Sequence, residues 1–507
     1  MGYNGQSIQF RNFAGGLVTN KTKIGLALNE SLEADNIIIL SGGQGITNAR
    51  GNTTFNSSAM ASGAAVTGLY YFQQADQDYW LMAVCGTSIF KSDLLDGTMD
   101  DITGAVSITT GQNNIWDMIT FDDAVIGFGG APNAPWTWPG TGNAAALGGS
   151  PPTADFAFTY NNRVFAGISS TSTMYWSIVG NAADWTGAGS GSAVVGSLDD
   201  NQLLIGAAPL TTDQALLFKQ NSVYTMATRN LVSSAFPIFP LHNNVGAAGK
   251  HAIVNINGEV YFITPQARMM STNGTRLQEY PDTIDNEWDE LNFDRLKYIQ
   301  GVQYHGIDHD WLIWMVSTGS NTTNDTALIW DLRNRCWLKR SQAFGANIAA
   351  KILDGTLYTG HYDGKIYKQD VPATYTVASE SNEAISWVWR TGWLTGTFMK
   401  TLRPNWINIA FQQAATGEIS VKVGFDFTED EYTNTISIVG GTAQWDVAEW
   451  DVDEWGGTSD IFRRSRLTGR GNTVNFSLSG NDSVQYVIQG FEISGYMETA
   501  QKGMEAS

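Results

Sequence analysis

Cysteine, basic side chains and long apolar runs are all scarce in this sequence of 507 residues. Cys85 and Cys336 are its only cysteines, and neither has neighbours at metal-ligand spacing. This argues against a disulfide-stapled scaffold and favours two buried thiols. No apolar run approaches the roughly 18 residues of a membrane span, and the first 13 residues lack the regions of a signal peptide. We therefore expect a protein that is made in a cytoplasm and has no membrane span.

The charge balance is acidic: 49 Asp and Glu against 29 Lys and Arg give a net charge of −20. An acidic chain gains no free energy by releasing the counterions of nucleic acid, so tight binding to DNA or RNA is not expected. A passage that DNA only crosses is compatible with this charge, because a wall that repels phosphate would not hold the DNA.

Amphipathic helical periods are also rare; the two candidates are residues 29–36 (NESLEADN), weakly helical, and residues 287–298. The chain instead contains 54 Gly, 18 Trp, 18 Tyr and 23 Phe. Short apolar and aromatic runs alternate with Gly, Asn, Asp, Ser and Thr, which is typical of β-strands joined by tight turns. The length predicts two or three domains, and the pattern predicts an all-β fold.

One pattern recurs seven times between residues 67 and 371: an apolar strand, a polar turn, a second apolar strand and often a third, aromatic strand. The central turns lie near residues 76, 122, 161, 213, 257, 308 and 354. Repeats of about 40 to 50 residues with three or four antiparallel strands are typical of propeller blades. We predict a β-propeller over 67–371 with about seven blades; six and eight are the alternatives.

Outside these repeats the composition and the spacing of apolar residues change. Residues 1–66 are rich in Gly and Asn, and we predict an arm that closes the first blade or reaches a neighbour. Residues 372–384 are predicted to be a polar linker. Residues 385–500 contain six long alternating strands, typical of a β-sandwich or jelly-roll-like module, and residues 501–507 are a tail.

An acidic, Trp-rich stretch is the main candidate interface. From Asp426 to Asp460 there are ten carboxylates and no Lys or Arg. Three Trp recur there every five residues, a spacing that fits neither a strand nor a helix, so we predict a loop that displays aromatic anchors to a partner. A packed local loop and a calcium site are the alternatives. The interface candidates in this stretch are Trp445, Asp446, Trp450, Asp451, Asp453 and Trp455.

Four arginines follow within eight residues and complete the interface candidates: Arg463, Arg464, Arg466 and Arg470. Pairing with the carboxylates upstream, within or between subunits, is the favoured use of these side chains. Contact with DNA and simple exposure to solvent are the alternatives.

We predict no catalytic, cofactor or metal site and no enzymatic activity. His305 and His309 flank a turn and do not share a helix face, so a polar turn is preferred to a metal site there. The sequence contains no G-x-S-x-G motif, phosphate loop or HExxH motif. Asp155 and Asp354 are explained by turn chemistry, although a propeller glycosidase remains the enzymatic alternative.

The order of parts resembles a known family. FRNFAGGLVTN and NESLEADNIII lead to Arg50-Gly51-Asn52 near the N-terminus. Near the C-terminus, VKVGFDFTEDEYTN, the acidic bridge, RRSRLTGRGNTVNFSLSG and VQYVIQGFEISG follow one another. This order is similar to that of tail nozzle or tail-hub (tail accessory) proteins of short-tailed phages of the lambdoid type. Asn52-Thr53 stands where those proteins have a Pro-Gly-like pair.

The resemblance implies a structural protein of the virion tail without a cofactor. Such proteins form a ring, usually of six identical subunits, that lies below the portal and adaptor proteins and continues the conduit for genome ejection. The ring carries needle, fibre or spike proteins, and DNA contacts it only in transit. A receptor- or glycan-binding propeller at the tail tip is the alternative function, and a propeller glycosidase is the second.

Overall fold

The computed structural model describes residues 5–93, 95–197, 200–227, 236–395, 400–412, 417–438 and 460–499. Helical elements in these ranges are short and include α1 (Asp285–Asp289) and the 3₁₀ turns Ser41–Gly43, Met60–Gly63, Lys250–Ala252, Phe293–Tyr298 and Ala378–Glu380. Among the described residues, no helix is both long and apolar enough to cross a bilayer.

The N-terminal residues form six strands that precede the repeats. They are β1 (Gly5–Phe10), β2 (Gly16–Leu17), β3 (Glu30–Asp35), β4 (Ile37–Ile39), β5 (Ile46–Asn48) and β6 (Thr53–Thr54).

The repeats follow as antiparallel sheets whose strands lie in chain order. Unit one contains β7 (Val66–Gln73), β8 (Tyr79–Cys85), β9 (Ser88–Asp93) and β10 (Asp100–Asp101). Unit two contains β11 (Asp117–Phe121), β12 (Ala124–Phe128), β13 (Trp136–Trp138) and β14 (Ala145–Ala146). Unit three contains β15 (Phe156–Tyr160), β16 (Arg163–Ile168), β17 (Thr173–Trp176) and β18 (Gly191–Val194). Unit four contains β19 (Leu204–Thr211), β20 (Gln214–Lys219), β21 (Ser222–Ala227) and β22 (Ile238–Asn243).

Three more units complete the series. Unit five contains β23 (Ile253–Ile256), β24 (Glu259–Ile263), β25 (Met269–Thr272) and β26 (Leu277–Glu279). Unit six contains β27 (Gln300–His305), β28 (Asp310–Val316), β29 (Thr326–Asp331) and β30 (Cys336–Arg340). Unit seven contains β31 (Ile348–Lys351), β32 (Leu357–Gly360) and β33 (Ile366–Lys368), and takes its fourth strand from the N-terminus.

The first strands of the units form a closed ring. Strands β7, β11, β15, β19, β23, β27 and β31 lie side by side in this order, and β31 also lies against β7. Apolar clusters fill the spaces between neighbouring sheets, so the second strands, such as β8 and β28, are buried on both faces. The described residues therefore form a seven-bladed β-propeller, which confirms the predicted fold.

The hairpin turns explain why the repeats were visible in the sequence. The pairs Asp122-Asp123, Asn161-Asn162 and Asn257-Gly258 have positive φ at both central residues. Asn, Asp and Gly tolerate this conformation best, and it gives a two-residue hairpin the twist of its strands.

Strand β6 closes the propeller at the seventh unit. Thr54 pairs with Tyr367 and Thr53 with Lys368 of β33. The N-terminal arm therefore does not close the first blade, which was one of its two predicted roles. Pairing the N-terminal strand with the last unit ties the two ends of the ring together and covers an open sheet edge.

The remaining strands belong to the sandwich, except for a small hairpin in the predicted linker. They are β34 (Thr376–Val377), β35 (Glu383–Ala384), β36 (Trp387–Thr391), β37 (Leu394–Thr395), β38 (Lys400–Gln412), β39 (Gly417–Phe425), β40 (Thr428–Ile438), β41 (Asp460–Arg466), β42 (Thr473–Gly480) and β43 (Val487–Thr499). The hairpin pairs β34 with β35 and touches the arm through Asn52 and Val377.

Both sheets of the sandwich combine strands from the two ends of the chain. The first sheet has the order β4-β5-β43-β38-β41, with β1 also beside β43. The second has the order β3-β36-β42-β39-β40, with β2 beside β3 and β37 beside β42, and it continues into unit six where β3 meets β30. Most of the arm over 1–66 is thus part of the sandwich.

Two local predictions of helix are wrong in detail. Residues 30–35, inside the weakly helical segment, form strand β3, because β2 and β36 pair with its two edges and bury Ser31 and Ala34. Tertiary pairing overrides a weak local preference. The helix predicted over 287–298 is divided into α1 and a 3₁₀ turn (Phe293–Tyr298).

Candidate interface on the sandwich and its joint with the propeller

The ten predicted interface residues divide into two groups. Six lie in residues 439–459, outside the described residues: Trp445, Asp446, Trp450, Asp451, Asp453 and Trp455. The structure places Arg463, Arg464 and Arg466 on β41 and Arg470 just beyond it. The strands that flank 439–459 both end at one end of the sandwich, since Ile438 pairs with Gly417 and Asp460 pairs with Gln412.

Strand β41 is the edge of the first sheet and carries an exposed row of side chains. It pairs with β38, in which Ile407, Ile409 and Phe411 are fully buried. The alternate residues of β38 and β41 therefore face outward. On β41 these are Phe462, Arg464 and Arg466, all exposed. Sequence reasoning missed Phe462, which is 73% exposed, because an aromatic residue in a strand is normally assigned to the core.

A cation–π contact orders part of this row. The guanidinium carbon of Arg464 on β41 lies over the ring of Trp406 on β38, 4.0 Å from the ring centroid. Such contacts stabilise by about 0.5–1 kcal/mol at exposed sites. Within the described ranges, none of the four arginines forms an ion pair with a carboxylate.

The described carboxylates of the acidic stretch are engaged elsewhere. Arg390 is buried and its guanidinium lies 3.4 Å from Glu429, 3.1 Å from Asp430 and 3.1 Å from Glu33. Burial lowers the pKa of Arg390, but the carboxylates around it outweigh that effect and raise it overall. Asp430 also pairs with Lys422 at 3.3 Å. This network ties β3, β36, β39 and β40 together, so these acids have a structural role.

A buried group of charges joins the arm to the propeller. The guanidinium of Arg50 lies 2.5 Å from Asp308 in the turn of unit six and 3.6 Å from Asp370 after unit seven. The hydroxyl of Tyr304 donates to Asp370 at 2.8 Å. Burial raises the pKa of Asp370, and Arg50 and Tyr304 partly offset this effect. Arg50 thus connects the arm with two neighbouring blades.

His309 lies inside the same group and stacks on Trp311 with ring centroids 3.6 Å apart. It is fully buried, and burial together with Arg50 and Arg340 lowers its pKa well below the usual value. The described residues contain no group of three or more His, Cys, Asp and Glu side chains that could hold a metal ion. His309 thus follows the turn of unit six as predicted, but its side chain is buried in the joint and is not the polar turn residue that the sequence suggested.

A groove of about 630 Å³ lies above this joint, between the propeller and the sandwich. Its walls carry the amides of Gln44, Gln412 and Gln489 together with Asp308 and Arg333. Ile307, at the tip of the turn of unit six, is 71% exposed at its rim. Polar amides beside an exposed apolar side chain suit the docking of a protein segment.

The axis of the propeller is closed at one end by side chains. The ammonium of Lys250, which precedes unit five, donates to the carbonyl oxygens of Ile115 (2.8 Å) and Asp155 (2.7 Å), which precede units two and three. The side chain therefore reaches across the ring. Arg295, before unit six, likewise donates to Asn113 before unit two (2.5 Å). No sequence signal predicts this closure, because the acceptors of Lys250 are backbone carbonyls.

Comparison with family models and with curated proteins finds no match. The solved structures that resemble the chain include streptogramin B lyase, with 12% identity and a TM-score of 0.41 over 62% of this chain and 96% of that one. The propeller domain of Myceliophteria thermophila Cps50 (Swd1) has 8% identity and a TM-score of 0.42 over 63% and 99%. YCF48 from Cyanidioschyzon merolae has 10% identity and a TM-score of 0.40 over 62% and 98%. At this identity, the likeness concerns the fold alone.

Proposed function

We propose that this chain is a structural, non-enzymatic ring subunit of the virion tail of a short-tailed phage. The resemblance in the order of sequence parts suggests this role. In it, copies of the chain surround the conduit for genome ejection and carry needle, fibre or spike proteins. The observation that carries the proposal is the joint: a continuous sheet from unit six into the sandwich, above a buried charge group that includes Arg50 and Asp370.

A continuous sheet and a buried ion group suit a component that transmits load. Strand β3 meets β30 at Asp35 and Lys339, and the amide of Asn36 donates to the carbonyl of Lys339, so backbone as well as side chains links the propeller to the sandwich. Breaking a buried ion pair by removing one partner costs about 3–5 kcal/mol. A ring subunit that carries other tail proteins would benefit from such a connection.

The closed axis determines where a conduit would lie. Lys250 and Arg295 reach across one end of the propeller, so DNA cannot pass through a single subunit. A conduit must then be bounded by several subunits around a common axis. Its walls would repel phosphate, because the chain has a net charge of −20.

The groove beside Ile307 supports the docking part of the proposal, and it also supports the alternative of a receptor- or glycan-binding propeller. Amide side chains such as Gln44 and Gln412 hydrogen-bond to sugar hydroxyls as well as to peptide groups. No Trp, Tyr or Phe lines the groove as described. Aromatic platforms are a common feature of sugar sites, so a protein partner fits better.

The test is the oligomeric state and the tail incorporation of the purified full-length chain. Mass photometry and negative-stain microscopy should show closed rings around a central opening. The protein should also join tails assembled without it. A persistent monomer that never joins tails but binds host-surface glycans would favour the alternative and overturn the ring.

A further inference from the structure

We infer that the exposed face of the first sandwich sheet, centred on Phe462, Arg464 and Trp406, binds the acidic segment 439–459 of a second copy of this chain. The inference rests on the proposed ring and names the surfaces that would hold it together. The outward residues of β38 and β41 are called the arginine face below.

The arginine face has the composition of an interaction surface. Phe462 is 73% exposed, and Trp406 and Arg464 stack beside it at 4.0 Å. Trp, Tyr, Phe and Arg are enriched in the cores of protein interfaces and at their energetic hot spots. Two further outward residues of β38, Asn408 and Ala410, have short side chains.

Arg464 and Arg466 form no ion pair with a carboxylate of the described residues. Glu429 and Asp430 are engaged by Arg390 and Lys422 on the other sheet. Glu492 shares the outward side but pairs with Asn408 across β38, one strand beyond Arg464, and forms no ion pair with it in the described chain. Arg464 and Arg466 are therefore open to acidic groups of another chain.

Segment 439–459 supplies the complementary chemistry. Its 21 residues contain three Trp, five carboxylates and no Lys or Arg. Its flanking strands end at one end of the sandwich, and β41 runs away from that end, from Asp460 to Arg466. Of the two faces the segment could bind, that of its own chain and that of an adjacent copy, only the second links copies into the proposed ring.

This pairing is heterologous, because each copy offers its segment to one neighbour and its arginine face to the other. A head-to-tail contact of this kind generates a ring when the rotation between copies closes. Opposite charges would set the register and the association rate, and the aromatic side chains would supply most of the affinity.

Two charge-reversal variants of the full-length chain test the inference. One carries Arg464→Glu and Arg466→Glu; the other carries Asp446→Lys, Asp451→Lys and Asp453→Lys. Each alone should lose self-association by at least about tenfold in Kd, measured by mass photometry. An equal mixture of the two should assemble again, because each reversed surface then meets its complement on the other protein. A chain with all five changes should assemble by itself.

Controls separate the inference from folding and from the proposed function. Arg276→Glu, at an exposed turn of unit five, should assemble like the wild type. Phe462→Ser should weaken assembly without lowering the melting temperature. Rescue by the five-change chain but not by the mixture would indicate pairing within one chain and overturn the inference. Normal assembly of both reversed variants would overturn it while the ring stands. A wild type that never assembles would defeat the proposed function itself.

Discussion

The propeller and the sandwich both bury sheet faces and cover sheet edges, but they differ in which strands they pair. The propeller pairs strands that are adjacent in sequence, and the sandwich pairs strands from the two ends of the chain. Each of the first six blades is one contiguous stretch, in which strands pair with their neighbours in sequence. The sandwich instead pairs the two ends of the chain, so that Gly5 lies opposite Tyr496 and Phe10 opposite Phe491. Local pairing has low contact order, whereas this long-range pairing has a large loop-closure cost.

This difference determines what the sequence could predict. Seven turns near residues 76 to 354 were identified because each hairpin carries its own turn chemistry and apolar strands. The strands of the arm carry little local signal: β4 and β5 have three residues each. Strand β4 pairs with β5, and β5 joins the sheet through β43, more than 400 residues away. No local rule connects such segments, so the arm was predicted as separate.

The largest expected effect comes from removing the aromatic centre of the long-range core. Trp389 is fully buried and its ring contacts Phe10, Phe13 and Phe491, from both ends of the chain. Trp389→Ala should lower the free energy of unfolding by about 3–5 kcal/mol. Hydrogen exchange followed by mass spectrometry should show the loss of protection in β1 and β43, with the propeller still protected.

Trp138→Ala is the matched variant in a local core. Trp138 is also fully buried and packs on Phe72 and Trp80 of the neighbouring blade. A similar loss of stability is expected, but with exchange confined to units one and two. If Trp389→Ala deprotects the propeller as much as the sandwich, the two regions unfold as one unit and the comparison between them breaks down.

The same contrast applies to the candidate interface. The arginines of β41 were predicted from sequence because four cations follow an acidic stretch. The exposure of Phe462 and the stacking of Arg464 on Trp406 required the register between β38 and β41. Lys250 was missed for a similar reason, since its acceptors before units two and three become neighbours only when the ring closes.

An intermediate effect is expected where the arm crosses the end of the propeller. Gly51 donates to the carbonyl of Thr374 and accepts from the amide of Val371, and a Cβ at this position would overlap the carbonyl oxygen of Thr376. Gly51→Ala should therefore push the two segments apart and cost about 1–3 kcal/mol in urea unfolding.

Gly148→Ala, in the local connection between units two and three, is the control for this substitution. Its added Cβ would meet only Ala183, at an ordinary 3.9 Å, so a change within about 0.5 kcal/mol is expected. Equal losses in the two variants would mean that the crossing of the arm at Gly51 is no more constrained than a local loop.

The effect that is smallest at neutral pH concerns proton binding in the blade that the arm completes. His361 in unit seven is buried beside Thr359 and Tyr367, and burial lowers its pKa to about 4. In the unfolded chain His361 binds a proton near pH 6.5, whereas in the folded chain it does so only near pH 4. Stability is fully present above about pH 6.5 and falls as the pH drops toward 4, by about 1.4 kcal/mol per pH unit. Urea unfolding at pH 7, 6 and 5 should show a smaller slope in His361→Gln.

The comparison with the wild type isolates His361, because carboxylates such as Asp370, whose raised pKa acts in the opposite direction, contribute to both proteins and cancel. An unchanged slope in His361→Gln would mean that unit seven opens before the rest of the chain and admits the proton. The blade closed by the distant strand β6 would then be the weakest of the seven, and the boundary between local and long-range structure would lie inside the propeller.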